Sequence, residues 1–311
     1  MFFRMGVKSK AAVAIVVLLL LLGSLWLQGG LDYHWESCLK GYDQQNKHHH
    51  LHNCSGPTAP GGTHVLKECL GQNFQVSMLL SHLLASPAYS SDVLMQPYLS
   101  SWDELVKFMG ALGPVVGLIS KEIQTKTNII RELALLSEKS PEAEMVPDEH
   151  LTGLNSQDAI QSGLDPLNHN RAYHSVHSMI QSELNRGVVD FHRPTDSGCR
   201  TLLRLHRALL WLRLFLEKLA EMSESGRLRS PAELCRESYQ NTLSKHHTWL
   251  VRRAAELAFI AMPERGFFFR LVCVGNQQEL NVVLTKVVRA IDEVYNRTQK
   301  ALDENGMLDL P

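Results

Sequence analysis

The chain has 311 residues, 44% hydrophobic, 20% charged and 7% aromatic, enough to bury one sizeable core with room for segments outside it. Lys and Arg number 31 against 32 Asp and Glu, a formal net charge of -1, which excludes a general electrostatic pull toward nucleic acid and makes any anion recognition local. Leu dominates, and 3.6-period segments recur without alternating Val, Ile and Thr runs, so the composition favours an all-α domain.

Arg4, Lys8 and Lys10 precede an apolar run from Ala11 to Leu27, broken only by Gly23 and Ser24. Residues 1–30 therefore read as a secretory signal peptide or a signal anchor. The run is at the short limit for a membrane span, and no small-x-small cleavage site follows it, which favours an uncleaved anchor through residues 11–27. By the positive-inside rule the rest of the chain is then lumenal or extracellular. Asn53-Cys54-Ser55 and Asn296-Arg297-Thr298 become glycosylation acceptors, although such sequons also arise by chance.

Residues 31–71 mix Gly, Pro, His, Asn and Ser without periodicity and read as a flexible stalk. His48, His49, His50 and His52, with Cys54, have the chemistry of a soft-metal site, but a short His tract in a linker reads as merely polar, and no metal or cofactor is expected. Of the six cysteines, Cys38, Cys54 and Cys69 lie near the leader, while Cys199, Cys235 and Cys273 fall in helical patterns. An even count permits disulfides without assigning them; the three downstream thiols read as small buried apolar residues.

The folded domain begins near Phe74, where Phe74, Met78, Leu79, Leu83 and Leu84 form a first amphipathic helix ended by Pro87 and Ser90-Ser91-Asp92. Val93 to Gly110 makes a second, with Trp102, Leu105, Val106 and Met109 inward, and Val115 to Leu136 a third. Residues 138–165 are acidic, contain Pro and Gly, and read as a surface loop. Asn168 to Val189 is a fourth helix and Gly198 to Met222 a fifth. Pro231 at a first turn opens another toward His246, and Thr248 to Ile260 and Glu279 to Asp303 complete eight. Eight helices with short connections suggest a helical sandwich or globin-like packing rather than a simple four-helix bundle.

The fifth helix is unusual. At about 100° per residue, Arg200, Arg204, Arg207 and Trp211 form one stripe, opposite Leu202, Leu205, Leu209, Leu212 and Leu216. A guanidinium inside a leucine-rich helix must meet a carboxylate, reach solvent along its stem, or receive an anion. Salt bridges with snorkelling are the plain alternative to an anion site. On the third helix Glu122 and Lys126 stand four residues apart; alone, that is an ordinary solvated pair.

Several stretches together resemble the glycolipid transfer protein family, specifically its ceramide 1-phosphate transfer branch. They are Asp92-Val-Leu-Met-Gln-Pro-Tyr-Leu-Ser-Ser-Trp102, Phe108 through Lys126, Ser182-Glu-Leu-Asn-Arg186, Ser197 through Glu217, His247-Thr-Trp249 with the following Leu-Val-Arg-Arg-Ala, and Tyr295 through Pro311. The resemblance implies a two-layer all-α sandwich over residues 72–311 that parts to accept a sphingolipid's chains and holds its headgroup at the mouth. Carried over residue by residue, the headgroup site is Glu122, Lys126, Arg200, Arg204 and His247, with Trp249 in the place of a membrane-contacting tryptophan. The family's acidic position is usually Asp; this chain has Glu122.

The charges agree with that assignment. Lys126, Arg200 and Arg204 supply +3 and Glu122 supplies -1, about +2 against the roughly -1.5 to -2 of a phosphate monoester. The family's sugar-binding members carry a stacking tryptophan where this chain has Arg204, so the resemblance favours phosphate over sugar. Ile119, Ile123, Leu209, Leu212, Phe259 and Val294 are candidates to line the acyl-chain pocket, though each reads first as plain core. The implied function is a non-enzymatic carrier whose partners are ceramide 1-phosphate or a related sphingolipid and membrane bilayers. An anchored sensor or scaffold that binds without transferring is the alternative, and a hydrolase using His247 lacks a partner nucleophile. The relatives work in the cytosol, which is the alternative to lumenal placement.

Overall fold

The computed structural model describes residues 66, 68–89, 91–138, 172–222 and 228–311. The leader, the His tract, Asn53 and residues 139–171, which hold all but the first residue of the expected acidic loop, lie outside them. Within the described residues the chain is all-α, with nine α-helices and no strand: α1 (Val76–Ala85), α2 (Met95–Ala111), α3 (Pro114–Glu138), α4 (Val176–Asn185), α5 (Gly198–Ala220), α6 (Pro231–Asn241), α7 (Trp249–Ile260), α8 (Arg265–Leu271) and α9 (Gln277–Glu304), plus a 3-10 turn at Leu243–His246. No helix among them is long and apolar enough to cross a membrane.

Side-chain caps set most helix starts. Ser197 accepts from the Arg200 amide at the head of α5, Thr248 from Val251 at α7 and Asn276 from Glu279 at α9. Ser230 and Glu233 form a reciprocal capping box around Pro231 at α6. The fourth helix is shorter than the Asn168–Val189 expected from sequence: a Ser175–Ser178 capping box starts it at Val176, and Gly187, at φ +62, ends it. The sequence pattern missed α8, whose seven residues include three consecutive Phe and no 3.6 periodicity. Burial of Phe268 and Leu271 holds it, so its helicity comes from packing rather than propensity.

The helices form a two-layer sandwich in which α5 packs against α3, α4, α6 and α9, α9 also lies against α1, and α2 joins α1 to α3. That position explains the leucines of α5. Leu203, Ala208, Phe215 and Leu219 are buried as well as the face expected from sequence, and Trp211, assigned to the arginine stripe, is buried too. Polar side chains on α5 must therefore leave the core near its N-terminal half or find partners inside.

His206 finds one. It is 2% exposed, stacks on Tyr295 of α9 at 4.1 Å between ring centres, and its Nε2 lies 2.6 Å from Gln299 Oε1. Burial pulls its pKa from 6.5 down to about 4. The stabilisation is whole above about pH 6.5; as pH falls toward 4, the unfolded chain takes up a proton that the folded one refuses. This histidine should then cost on the order of 3 kcal/mol by pH 4. Denaturant unfolding of His206→Gln against the parent should show a flatter loss of stability between pH 6.5 and 4; parallel curves would reject the assignment.

Cys273 is not an isolated buried thiol as the sequence reading had it. It follows α8 at φ +56 and forms a disulfide with Cys69, 5.7 Å away between Cα atoms, while Cys199 and Cys235 are buried and free. Cys69 is 1% exposed and its amide donates to Gln75 Oε1 at 2.8 Å, so the packed chain reaches back to the end of the segment read as stalk.

Candidate anion-binding site

The head of α5 is fixed by a buried carboxylate. Glu183 of α4 accepts from the Gly198 amide at 2.6 Å, the Cys199 amide at 2.9 Å and the Tyr173 hydroxyl at 2.6 Å. It therefore takes the free amides and positive dipole end of α5. Any anion bound further along the helix must be held by side chains. The same carboxylate, with burial, drives the Tyr173 and Cys199 pKa values upward, burial being the larger cause.

One turn on, the arginine stripe emerges. Arg200 donates through Nη1 to the Thr195 carbonyl at 3.2 Å and through Nε to the Pro311 carbonyl. Arg207 donates through Nη2 to the Leu308 carbonyl at 2.7 Å. Arg204 between them is exposed and has no hydrogen-bond or ion-pair partner among the described residues. Partial burial and then the neighbouring Arg200 lower its pKa, while Glu122 and Asp196 act the other way. Of the three arginines that the sequence left undecided, two are tethered to backbone carbonyls and one is free among the described residues.

Across from the stripe, on α3, Lys126 Nζ lies 2.8 Å from Glu122 Oε1; the lysine side chain is 17% exposed and the carboxylate 65%. The Glu122 charge reaches Arg204, so the α3 pair and the α5 stripe face one region. His247, just after the 3-10 turn, is half-buried, with Nδ1 2.9 Å from the Tyr239 hydroxyl. Burial lowers its pKa, favouring the neutral ring near pH 7. The adjacent His246 feels the charges of Arg207 and Asp309, which puts this turn beside the far end of the stripe. Tyr239 and Glu183 were not singled out in the sequence, where neither spacing nor residue type marks them.

Trp249 opens α7 at 57% exposure, followed by Leu250 at 53% and Val251 at 43%, and the Arg253 guanidinium sits 5.8 Å from an indole ring centre. Three consecutive exposed apolar residues beside a charged site suit an interface between water and hydrocarbon. Asn296 is exposed on α9, but Thr298 of its sequon is fully buried, its hydroxyl donating to the Val294 carbonyl at 2.9 Å. Among the candidate pocket residues, Leu209, Leu212, Phe259 and Val294 are buried, and Ile119 and Ile123 are partly exposed on α3. None of the six borders the small void of about 10 Å³ in the apolar interior, which lies among Phe74, Leu79, Leu105, Phe108, Leu216 and Leu284. A void of that size admits no alkyl chain, so hydrocarbon enters there by separation of the helices that line it.

A family model described as glycolipid transfer protein matches residues 93–274. The human ceramide-1-phosphate transfer protein is 35% identical over 223 residues, covering 71% of this chain and 88% of that protein; its Xenopus laevis counterpart is 34% identical with the same coverage. Among solved structures, human ceramide-1-phosphate transfer protein in complex with 2:0 ceramide-1-phosphate superposes with a TM-score of 0.61 at 33% identity, covering 76% of this chain and 99% of that one. The apo form of the mouse protein gives 0.61 at 32% identity, covering 76% and 100%. The matched segment holds Glu122, Lys126, Arg200, Arg204, His247 and Trp249, on the helices whose packing is described above, and on that ground the chain belongs to the glycolipid transfer protein family.

Proposed function

We propose that this chain is a non-enzymatic carrier that binds ceramide 1-phosphate and moves it between membranes. The observation that carries this reading is Arg204, a guanidinium unpaired among the described residues, near Arg200 and within reach of the Glu122 charge that pairs with Lys126. A phosphate monoester satisfies that geometry: Arg204 takes two oxygens bidentately, Arg200 adds its remaining Nη2 edge, and Lys126 contributes a point charge. Glu122 accepts the lipid amide proton. The Tyr239 hydroxyl lies 2.9 Å from His247 Nδ1; donation from that hydroxyl would place the His247 proton on Nε2, available to the amide carbonyl. Trp249, Leu250 and Val251 enter the bilayer surface while the helices part around the chains. The relatives' names, and the human protein solved with 2:0 and 12:0 ceramide-1-phosphate, support the choice of lipid.

No helix among the described residues is long and apolar enough to cross a membrane, and cytosolic exposure of the domain is the alternative, while the leader and the Cys69–Cys273 pair favour an oxidising compartment. Sensitivity of the full-length protein in cells to glycosidase tests that placement. Because Thr298 is buried in α9, Asn53 is the site to watch. An anchored sensor that binds without transferring is separated from a carrier by a transfer assay between tethered vesicles run beside plain binding.

Equilibrium binding with matched acyl chains tests the headgroup reading. Ceramide 1-phosphate should bind at least tenfold more tightly than a neutral glycosphingolipid, since Arg204 offers a charge where a sugar needs a stacking face. Equal or tighter binding of the glycolipid rejects it.

A further inference from the structure

We propose that the tail Met307–Pro311 is a positioning element of the headgroup site, holding Arg200 and Arg207 by backbone carbonyls so that Arg200 presents its Nη2 edge to the phosphate. The proposal rests on the ceramide 1-phosphate reading and adds to it residues that carry no ligand chemistry of their own.

The chain leaves α9 through Gly306, whose φ of +65 turns it back over the helices, and the Met307 amide closes the turn onto the Leu302 carbonyl at 2.8 Å. Met307 is fully buried and Leu310 6% exposed, so two apolar anchors clamp the tail against the core. Between and beyond them the backbone faces the stripe: the Leu308 carbonyl accepts from Arg207 Nη2 at 2.7 Å, and the Pro311 carbonyl accepts from Arg200 Nε. The Asp309 carboxylate adds a charge that acts on Arg207 and on His246.

A guanidinium has two faces able to hold a phosphate bidentately, one through Nε and Nη2 and one through Nη1 and Nη2. With Pro311 on Nε and Thr195 on Nη1, Arg200 cannot rotate freely, and Nη2 is the nitrogen left without a partner in either bond. Fixing it before the lipid arrives removes rotamer entropy that binding would otherwise have to overcome. Arg207, tied to Leu308 and offset by Asp309, is spent on the tail. It is thus a positioning residue, not a phosphate ligand.

The test compares ceramide 1-phosphate with ceramide of the same acyl chains, in vesicles, for the parent, for a chain lacking Asp309 to Pro311, and for Arg207→Gln. Ceramide reads the apolar pocket and the amide contacts without the phosphate, so a general loss of structure lowers both lipids together. The expected result is a roughly tenfold or greater fall in ceramide 1-phosphate affinity for both variants, ceramide unchanged within about twofold, and partial rescue by Arg207→Lys, which keeps one donor for Leu308. If loss of Leu310 unfolds the truncated chain in a thermal melt, the Arg207 variants decide alone. Equal loss for both lipids, no loss, or tighter ceramide 1-phosphate binding overturns the proposal; in the last case the tail competes with phosphate. A parent that does not distinguish the two lipids means the headgroup reading itself has failed.

Discussion

Arg204→Leu should reduce ceramide 1-phosphate transfer by at least about a hundredfold while the melting temperature moves by no more than about 2 °C. Two charge-assisted bonds to a phosphate contribute roughly 3–4 kcal/mol, which is more than two decades in affinity. Nothing in the fold depends on the side chain. It is exposed and unpaired among the described residues, and such substitutions usually fall within about 0.5 kcal/mol. Arg200→Leu is the instructive contrast. It leaves the Thr195 and Pro311 carbonyls without their donor, so it should lower both transfer and melting temperature. A transfer assay beside a melt separates the two; an Arg204→Leu protein that still transfers, or that unfolds, rejects the anion site.

Gly198→Ala should destabilise the domain by about 1–3 kcal/mol, a fall of several degrees in melting temperature. An added Cβ at Gly198 would stand 2.8 Å from Met179 Sδ, 2.9 Å from Glu183 Oε1 and 3.1 Å from Tyr173 Cε1. The thioether can swing away. The carboxylate cannot move without releasing the two α5 amides and the Tyr173 hydroxyl it accepts. Because Arg200 lies in the same turn, lipid affinity should fall as well, by less than in Arg204→Leu. Denaturant unfolding measures the first effect, and unchanged stability would mean that the head of α5 is looser than its contacts imply.

What the sequence made legible, and what it hid, follows from the range of the interactions. Caps and periodicity are local, so Pro231, the leucine face of α5 and the arginine stripe could be read directly. The roles proposed for Glu122, Lys126, Arg204 and His247 follow from the family resemblance, and the geometry adds their surroundings. The tethers of Arg200 and Arg207 could not be read at all, because a backbone carbonyl has no residue identity and those partners lie 111 and 101 residues away. Glu183 reads as one more helical carboxylate until α4 is seen against α5. The pairing of Cys69 with Cys273 spans 204 residues, and an even cysteine count does not select it. Trp211 went astray for a related reason: a helical wheel orders residues around one axis and is blind to how far a neighbouring helix wraps that axis at each turn.

The void among Phe74, Leu105 and Leu216, about 10 Å³ and too small for an alkyl chain, changes what opening means for this protein. Parting the helices in water exposes apolar surface at about 25 cal/mol for each Å², so a few hundred Å² already costs several kcal/mol. Against a bilayer the same surfaces meet hydrocarbon, and that cost largely disappears. The membrane then acts as a solvent that licenses the open form, and bulk water as one that shuts it. Loading from dispersed lipid should accordingly lag far behind loading from vesicles at equal lipid activity, and an emptied carrier leaving a membrane reseals on itself instead of wandering through the aqueous phase with a greasy cleft exposed.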